Sequence, residues 1–217
     1  MSERIVVLDF ETTGLSPGRG DRATEIGALV LQDGQPTDRF HSLMNAGRSI
    51  PAFVQSLTGI TDQMIATAPP AEQVMRNFAE FIGEMPLVAH NASFDKSFLD
   101  YEFRRAGVRR RGRFACSMRV ARRVYPEARN HKLNTLARYM GLDWSGQHHR
   151  AMADVEMTTQ LWCAMQQRLA HDYDLHTVPH SLMRRLQSAP ARTVGTLVRK
   201  FAEHQDALPS APAEILN

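Results

Sequence analysis

The chain has 217 residues, of which 43% are hydrophobic and 23% charged, and its formal net charge is +3. These values are typical of a globular protein with one sizeable domain. The apolar run Ile5–Leu8 is too short for a membrane span or a signal-peptide core, so we expect a cytoplasmic protein with no membrane partner. Cys116 and Cys163 lack the spacing of metal ligands, and we expect both to be reduced.

The N-terminal part of the chain predicts three strands followed by helices. Arg4–Phe10 is an apolar, β-branched run, Thr24–Leu31 stops at the turn signal Asp33-Gly34, and Arg39–Met44 follows. Because the connections are short, the sheet should begin with antiparallel pairs. Three helices are predicted next, at Pro51–Leu57, Asp62–Ala66 and Ala71–Gly83.

The middle of the chain predicts a fourth strand and further helices. Pro86–His90 is a short apolar strand, and Ser93 is the predicted cap of the helix that follows. Further helices are predicted at Cys116–Val124, Leu133–Tyr139 and Arg150–Leu169. Strands alternating with helices after a run of strands indicate an α/β fold with a mixed sheet.

The C-terminal part of the chain has a different character. We predict one domain over 1–170 and a helical extension over 171–206, with a loop at His171–Pro179 and helices at Ser181–Gln187 and Thr193–His204. The proline-containing end, 207–217, is predicted to be disordered.

Nine arginines and no acid lie between Arg104 and Arg123. One interpretation is a solvated helix–loop surface. The other is a surface that binds phosphates, since the planar guanidinium group can donate two hydrogen bonds at once. The sequence leaves both open.

Two carboxylates close the first strand, in the segment LDFETTGL. Because side chains alternate along a strand, Asp9 and Glu11 should point the same way. Two such acids repel each other unless a cation neutralises them, and hard oxygen ligands suit Mg²⁺ or Mn²⁺. An exposed acid pair with no such role is the other interpretation.

Two further acids open predicted helices. Asp95 lies in HNASFD and Asp154 in HHRAMAD, where either could simply complement the helix dipole. His149 stands five residues before Asp154. It is either a surface residue or a general base, for which an ordinary pKa near 6.5 is suited.

The three motifs occur in an order that resembles the DEDD exonuclease superfamily, in its branch with a histidine in the third motif. The resemblance is closest to the proofreading epsilon-subunit family of bacterial DNA polymerase III and its stand-alone relatives. FDKSFLDYEFRRAG and ATEIGAL add to it, and it covers roughly Arg4–Arg168. It implies a ribonuclease-H-like exonuclease fold, with a mixed five-stranded sheet flanked by helices.

The resemblance also implies roles for individual residues. It predicts that four acids hold two divalent metal ions, Mg²⁺ or Mn²⁺, and that His149 is the general base. The four acids are Asp9, Glu11, Asp95 and Asp154. The predicted substrate-binding residues are Thr12, Thr13, Leu15, His90, Asn91 and Phe94.

The leading hypothesis is therefore a metal-dependent 3′–5′ exonuclease that acts on DNA, preferably single-stranded, and releases nucleoside monophosphates. An RNA-trimming exoribonuclease has the same motifs, and the sequence does not show which residue would recognise a 2′-hydroxyl. A non-catalytic nucleic-acid-binding module is a hypothesis of another class, but it would predict loss of the acids. A DNA polymerase or repair partner is expected to bind through the C-terminal extension.

Overall fold

The structure is a computed structural model, and it describes residues 3–142 and 150–206. Five strands form a mixed sheet in the order β3-β2-β1-β4-β5. They are Arg4–Thr12 (β1), Ala23–Gln32 (β2), Gln35–Leu43 (β3), Leu87–Ala89 (β4) and Phe114–Cys116 (β5). β2 is antiparallel to both of its neighbours, whereas β1, β4 and β5 are parallel. The mixed five-stranded sheet implied by the resemblance is confirmed.

Helices cover both faces of this sheet. In the described part of the chain they are Ala52–Thr58 (α1), Asp62–Ala66 (α2), Ala71–Ile82 (α3), Ser93–Arg105 (α4), Ser117–Val124 (α5), Leu133–Tyr139 (α6), Ala151–Tyr173 (α7), His180–Leu186 (α8) and Val194–Asp206 (α9). The described helices lack the combination of length and apolar character that a bilayer span needs.

Alternation along β1 divides the core into two layers. Ile5 and Val7 pack with residues of α5 to α9, including Trp162. Val6 and Leu8 point the other way and pack with α3 and α4. Asp9 and Glu11 continue the odd-numbered series, so they lie on the face that α7 covers.

The turn between β2 and β3 has fewer residues than the sequence predicted. Asp33 and Gly34 both have positive φ angles, 52° and 81°, which suit a two-residue hairpin turn. Pairing therefore resumes at once, between Gln32 and Gln35. For this reason β3 begins at Gln35, four residues before the predicted start at Arg39.

The predicted cap of α4 is wrong. Ala92 occupies the N-cap position, and Ser93 is already helical. The turn is closed instead by Asn91, whose φ of 60° is left-handed and whose carbonyl accepts the N–H of Phe94 at 3.0 Å.

Other boundaries also differ from the prediction. Cys116, predicted as the start of a helix, is the last residue of β5, and α5 begins at Ser117. A strand of three residues is too short to show the alternation of side chains by which a strand is recognised in a sequence, and β5 was not predicted. The predicted loop at His171–Pro179 begins inside α7, which continues to Tyr173.

The C-terminal helices pack against the rest of the chain. Leu182 and Met183 of α8 and Val198 of α9 are fully buried and belong to the same core as Trp162. The division at residue 170 stays a prediction. The tail predicted to be disordered, 207–217, lies outside the described residues.

Candidate active site

Asp9 and Glu11 lie near the carboxyl end of β1, the middle strand of the sheet. Both are partly buried, and Phe10 between them points into the opposite core layer with 3% of its surface exposed. Because side chains alternate along β1, the two acids point to the same face of the sheet, as predicted.

Asp154 reaches the same place from the other end of the chain. It lies in the first turn of α7, where its N–H donates to the carbonyl of Arg150 at 3.2 Å. Carboxylate oxygens of Asp9, Glu11 and Asp154 all lie within 4.8 Å of one another. Three hard oxygen donors at this spacing fit one or more small divalent cations.

Asp95 approaches from the first turn of α4. It has 1% of its surface exposed, and its Oδ1 accepts the backbone N–H of Phe10 at 3.2 Å. This bond ties the second motif to the strand segment that carries the other two acids. All four predicted acids thus come together at the carboxyl edge of the parallel strands.

Burial and mutual repulsion raise the pKa values of Asp9, Glu11 and Asp95. Burial first, and then the charges of Asp95 and Asp154, raise the pKa of Asp9 well above its ordinary value. Burial and the nearby Asp154 raise the pKa of Glu11 to about 8. Burial also raises the pKa of Asp95 to about 7, although the N–H of Phe10 lowers it. Ionising all four acids is unfavourable unless a cation balances them.

We expect the metal-free protein to become less stable as the pH rises. Unfolded Glu11 releases its proton near its ordinary pKa of 4.5, whereas the folded protein keeps that proton until about pH 8. The folded state binds more protons in this interval, so the free energy of unfolding falls as the pH rises through it. Urea unfolding in a chelator across this range measures the effect. Mg²⁺ should restore stability at the alkaline end, and a flat profile with no response to Mg²⁺ would contradict the expectation.

The loop after β1 contains the first group of predicted substrate-binding residues. Thr12 and Thr13 are buried, and their hydroxyl groups bond within the protein: Thr12 donates to the carbonyl of Gly14 at 2.6 Å, and Thr13 accepts the N–H of Arg22 at 3.0 Å. Leu15 has 82% of its surface exposed. Of the three, Leu15 is the side chain that is open to solvent and to a ligand.

The second group lies at the junction of β4 and α4. His90 uses both ring nitrogens within the protein, with Nδ1 2.9 Å from the Ser117 hydroxyl and Nε2 2.9 Å from the carbonyl of His131. Burial lowers the pKa of His90 to about 4, so the ring is neutral at pH 7. Asn91 is exposed, and Phe94 packs against Phe98.

His149, the predicted general base, lies outside the described residues, as does His148. The described chain resumes at Arg150, immediately before α7. The role of His149 thus stays a prediction based on the third motif.

The arginine run does not form one surface beside the acids. Arg104–Arg113 precedes β5, which is parallel to β1, so this segment lies at the edge of the sheet opposite the acids. Within it, Arg110 pairs with Asp100 and Arg111 with Glu84. The remaining arginines of the run lie on α5, a helix that begins at the edge of the sheet where the acids lie.

Sequence reasoning missed two buried ionic groups around the site. Glu25 of β2, with 0% exposure, contacts Arg150, and Arg22 pairs with Glu102, which has 1% exposure. The signal for Glu25 was a charged residue inside an otherwise apolar strand, ATEIGALVLQ. Such a residue needs a buried partner.

A mixed sheet of this order, with a carboxylate cluster at the end of its middle strand, is typical of nucleases with the ribonuclease-H-like fold. Residues 6–162 match the exonuclease family RNase_T, and the chain belongs to this family. The resemblance to the DEDD exonucleases is thereby confirmed.

Similar proteins support this assignment. The chain is 40% identical over 164 residues to a DNA polymerase III PolC-type protein of Bacillus cereus. The match covers 75% of this chain and 11% of that protein. It is 36% identical over 168 residues to the 3′-5′ exonuclease DinG of Bacillus subtilis, covering 77% of this chain and 18% of DinG. The chain therefore spans less than a fifth of either relative.

Among solved structures, the fold matches that of Exonuclease X in complex with 5′ overhanging duplex DNA. The TM-score is 0.65 at 24% sequence identity, and the match covers 85% of this chain and 99% of that one. This similarity concerns the fold.

Proposed function

We propose that the protein is a metal-dependent 3′–5′ exonuclease that hydrolyses phosphodiester bonds at the 3′ end of DNA, preferably single-stranded, and releases nucleoside monophosphates. The observation that carries the proposal is the convergence of Asp9, Glu11 and Asp154 within 4.8 Å. Acids this close are unfavourable without a cation, and burial and repulsion raise the pKa values of Asp9 and Glu11 accordingly.

The acids would hold two Mg²⁺ or Mn²⁺ ions. Asp9, Glu11 and Asp154 have oxygens close enough to share a cation, and Asp95 adds a fourth charge at the same edge of the sheet. Bound ions of this type supply charge neutralisation at the phosphate and favour attack by water. The described residues contribute the negative charge and fix its position.

A general base would complete the site. We assign this role to His149, because it stands five residues before Asp154 in the third motif and a histidine ordinarily titrates near neutral pH. A His149→Ala variant should keep its metal affinity while its rate falls.

DNA is the proposed substrate because the PolC-type relative is named as a DNA polymerase. The test is digestion of matched, end-labelled single-stranded DNA, duplex DNA and RNA with Mg²⁺ or Mn²⁺. Release of mononucleotides from the 3′ end of DNA would support the proposal. Faster digestion of RNA would favour the exoribonuclease alternative, and binding without hydrolysis would favour the non-catalytic one.

A polymerase or repair partner is also proposed, at the C-terminal extension. Support comes from the PolC-type relative, in which the matching region is 11% of a longer protein. Because α8 and α9 contribute to the core, deleting them would disturb the fold. Substitutions at exposed positions of α9, such as Arg199→Glu, are the better test of partner binding.

We expect Leu15→Ala to weaken substrate binding about tenfold, since covering an exposed leucine side chain with an apolar surface contributes about 1.5–3 kcal/mol. Leu15 is 82% exposed, so the substitution should leave the unfolding free energy almost unchanged. The measurement is KM for a single-stranded oligonucleotide, with Leu15→Met as the control that keeps an apolar side chain. An unchanged KM would exclude Leu15 from the substrate-binding surface.

A further inference from the structure

Glu25 is a buried acid next to the cluster of Asp9, Glu11 and Asp154, but it is not a member of that cluster. In the β1–β2 ladder, Glu25 is the cross-strand partner of Glu11, so the two side chains share one face of the sheet. Glu25 has 0% of its surface exposed. A further negative charge at this point would add to the repulsion in the site unless other groups neutralise it.

The carboxylate of Glu25 is fully engaged by donors from the start of α7 and from β3. Arg150 donates from Nη2 to Oε1 at 2.7 Å and from Nε to both oxygens at 3.2 Å. The N–H of Ala151, the first residue of α7, donates to Oε2 at 3.0 Å. The ring Nε2 of His41 lies 2.8 Å from Oε1. Burial raises the pKa of Glu25, but these hydrogen bonds outweigh it and the net shift is downward.

A second feature of β2 places the start of α7 at the same point. A Cβ on Gly27 would lie 2.8 Å from both the carbonyl carbon of Ala151 and the nitrogen of Met152. The backbone of the first turn of α7 therefore rests directly on Gly27. Gly27 is the cross-strand partner of Asp9, as Glu25 is of Glu11. The two residues of β2 that are paired with the acids of β1 are thus the residues that contact the first turn of α7.

We propose that Glu25 is a positioning residue, which, through Arg150 and the N–H of Ala151, holds the first turn of α7 so that Asp154 meets Asp9 and Glu11. Glu25 satisfies a backbone donor at the helix start, a place usually served by a neighbouring side chain. Asp154 follows one turn later. The role of this contact in catalysis rests on the proposed nuclease function, whereas its effect on the metal site does not.

The test is the affinity of the 217-residue chain for Mn²⁺ alone, measured by calorimetry without nucleic acid. Glu25→Gln keeps the size of the side chain, but either orientation of the amide places an NH₂ group against Arg150 or Ala151, which are themselves donors. Loss of a group that orients metal ligands weakens affinity about 10- to 100-fold, and that is the expected change. Amide hydrogen exchange at 150–154 should accelerate in parallel.

Arg150→Lys is a milder second variant, because its side chain is 31% exposed and lysine keeps the charge but loses the two-pronged geometry. It should also weaken Mn²⁺ binding, by less than Glu25→Gln. Glu156→Gln is the matched control. Glu156 is an acid on the same helix, but it pairs with Arg39 at the surface, so its substitution should leave both measurements at the wild-type level.

Wild-type Mn²⁺ affinity and wild-type exchange in a folded Glu25→Gln protein would overturn the inference. If Glu25→Gln does not fold, the same results for Arg150→Lys would overturn it. A wild-type protein that binds Mn²⁺ but digests neither DNA nor RNA would contradict the proposed function alone. In that case the Mn²⁺ affinities of the variants still decide whether Glu25 positions Asp154.

Discussion

Asp9→Asn is expected to abolish Mg²⁺-dependent release of mononucleotides, with a loss of at least about 10³-fold, and to make the metal-free protein more stable. The rate falls because Asp9 lies in the three-acid cluster, and stabilisation of charge by a bound metal is worth several kcal/mol in the transition state. Stability rises because asparagine does not ionise, whereas burial and repulsion make ionisation of Asp9 unfavourable in the folded protein only. The measurements are initial rates on end-labelled DNA and urea unfolding at about pH 8 in a chelator.

The opposite signs of these two effects separate a lost metal ligand from a damaged fold. A variant that is inactive because it is misfolded would be less stable than the wild type. Asp100→Asn is a suitable control, since Asp100 lies on α4 but forms ion pairs with Lys96 and Arg110 and not with the cluster. It should keep wild-type activity. Full activity in Asp9→Asn would exclude the proposed site.

Arg22→Met is expected to cost about 3–5 kcal/mol of unfolding free energy, since it leaves the buried carboxylate of Glu102 without its partner. Arg22 donates to Glu102 from Nε at 2.8 Å and from Nη2 at 2.9 Å, and from Nη1 to the carbonyl of Ala46 at 2.9 Å. Glu102 is 1% exposed. Urea unfolding of the wild type and the variant measures the difference.

The same pair also fixes the base of the loop that carries Leu15. The N–H of Thr13 donates to the carbonyl of Arg22 at 2.8 Å, so a displaced Arg22 should also raise KM. Arg4→Met is the matched control, because Arg4 pairs with Asp38 at the surface, where 48% and 54% of the two side chains are exposed. It should cost no more than about 1 kcal/mol. Equal losses for the two substitutions would show that burial of Arg22 has no special effect.

The sequence predicted the parts of the site that depend on local patterns. Alternation along a strand places Asp9 and Glu11 on one face, whereas Asp95 and Asp154 were identified as their partners only by the resemblance to the DEDD exonucleases. The structure brings these acids together at one edge of the sheet. The Asp9→Asn variant tests the predicted role of Asp9 as a metal ligand.

The groups that the sequence did not predict depend on contacts between distant residues. Glu25 meets Arg150 across 125 positions, and Arg22 meets Glu102 across 80. A local pattern can show that a charge is buried, but it does not identify the partner. The same limit applies to the arginine run, because only the order of the strands shows that Arg104–Arg113 lies at the edge opposite the acids.

The pairing of β1 with β2 has a consequence for how this chain tolerates insertions and deletions. Asp9 is paired with Gly27, and Glu11 is paired with Glu25. The register between β1 and β2 therefore fixes both the position of the two acids and the place where the first turn of α7 packs. A single residue inserted within β1 would turn every following side chain to the opposite layer and send the carboxylates towards α3 and α4. Length changes should therefore be found in the connections, for instance between Ser16 and Asp21, while the nine residues of β1 keep a constant length.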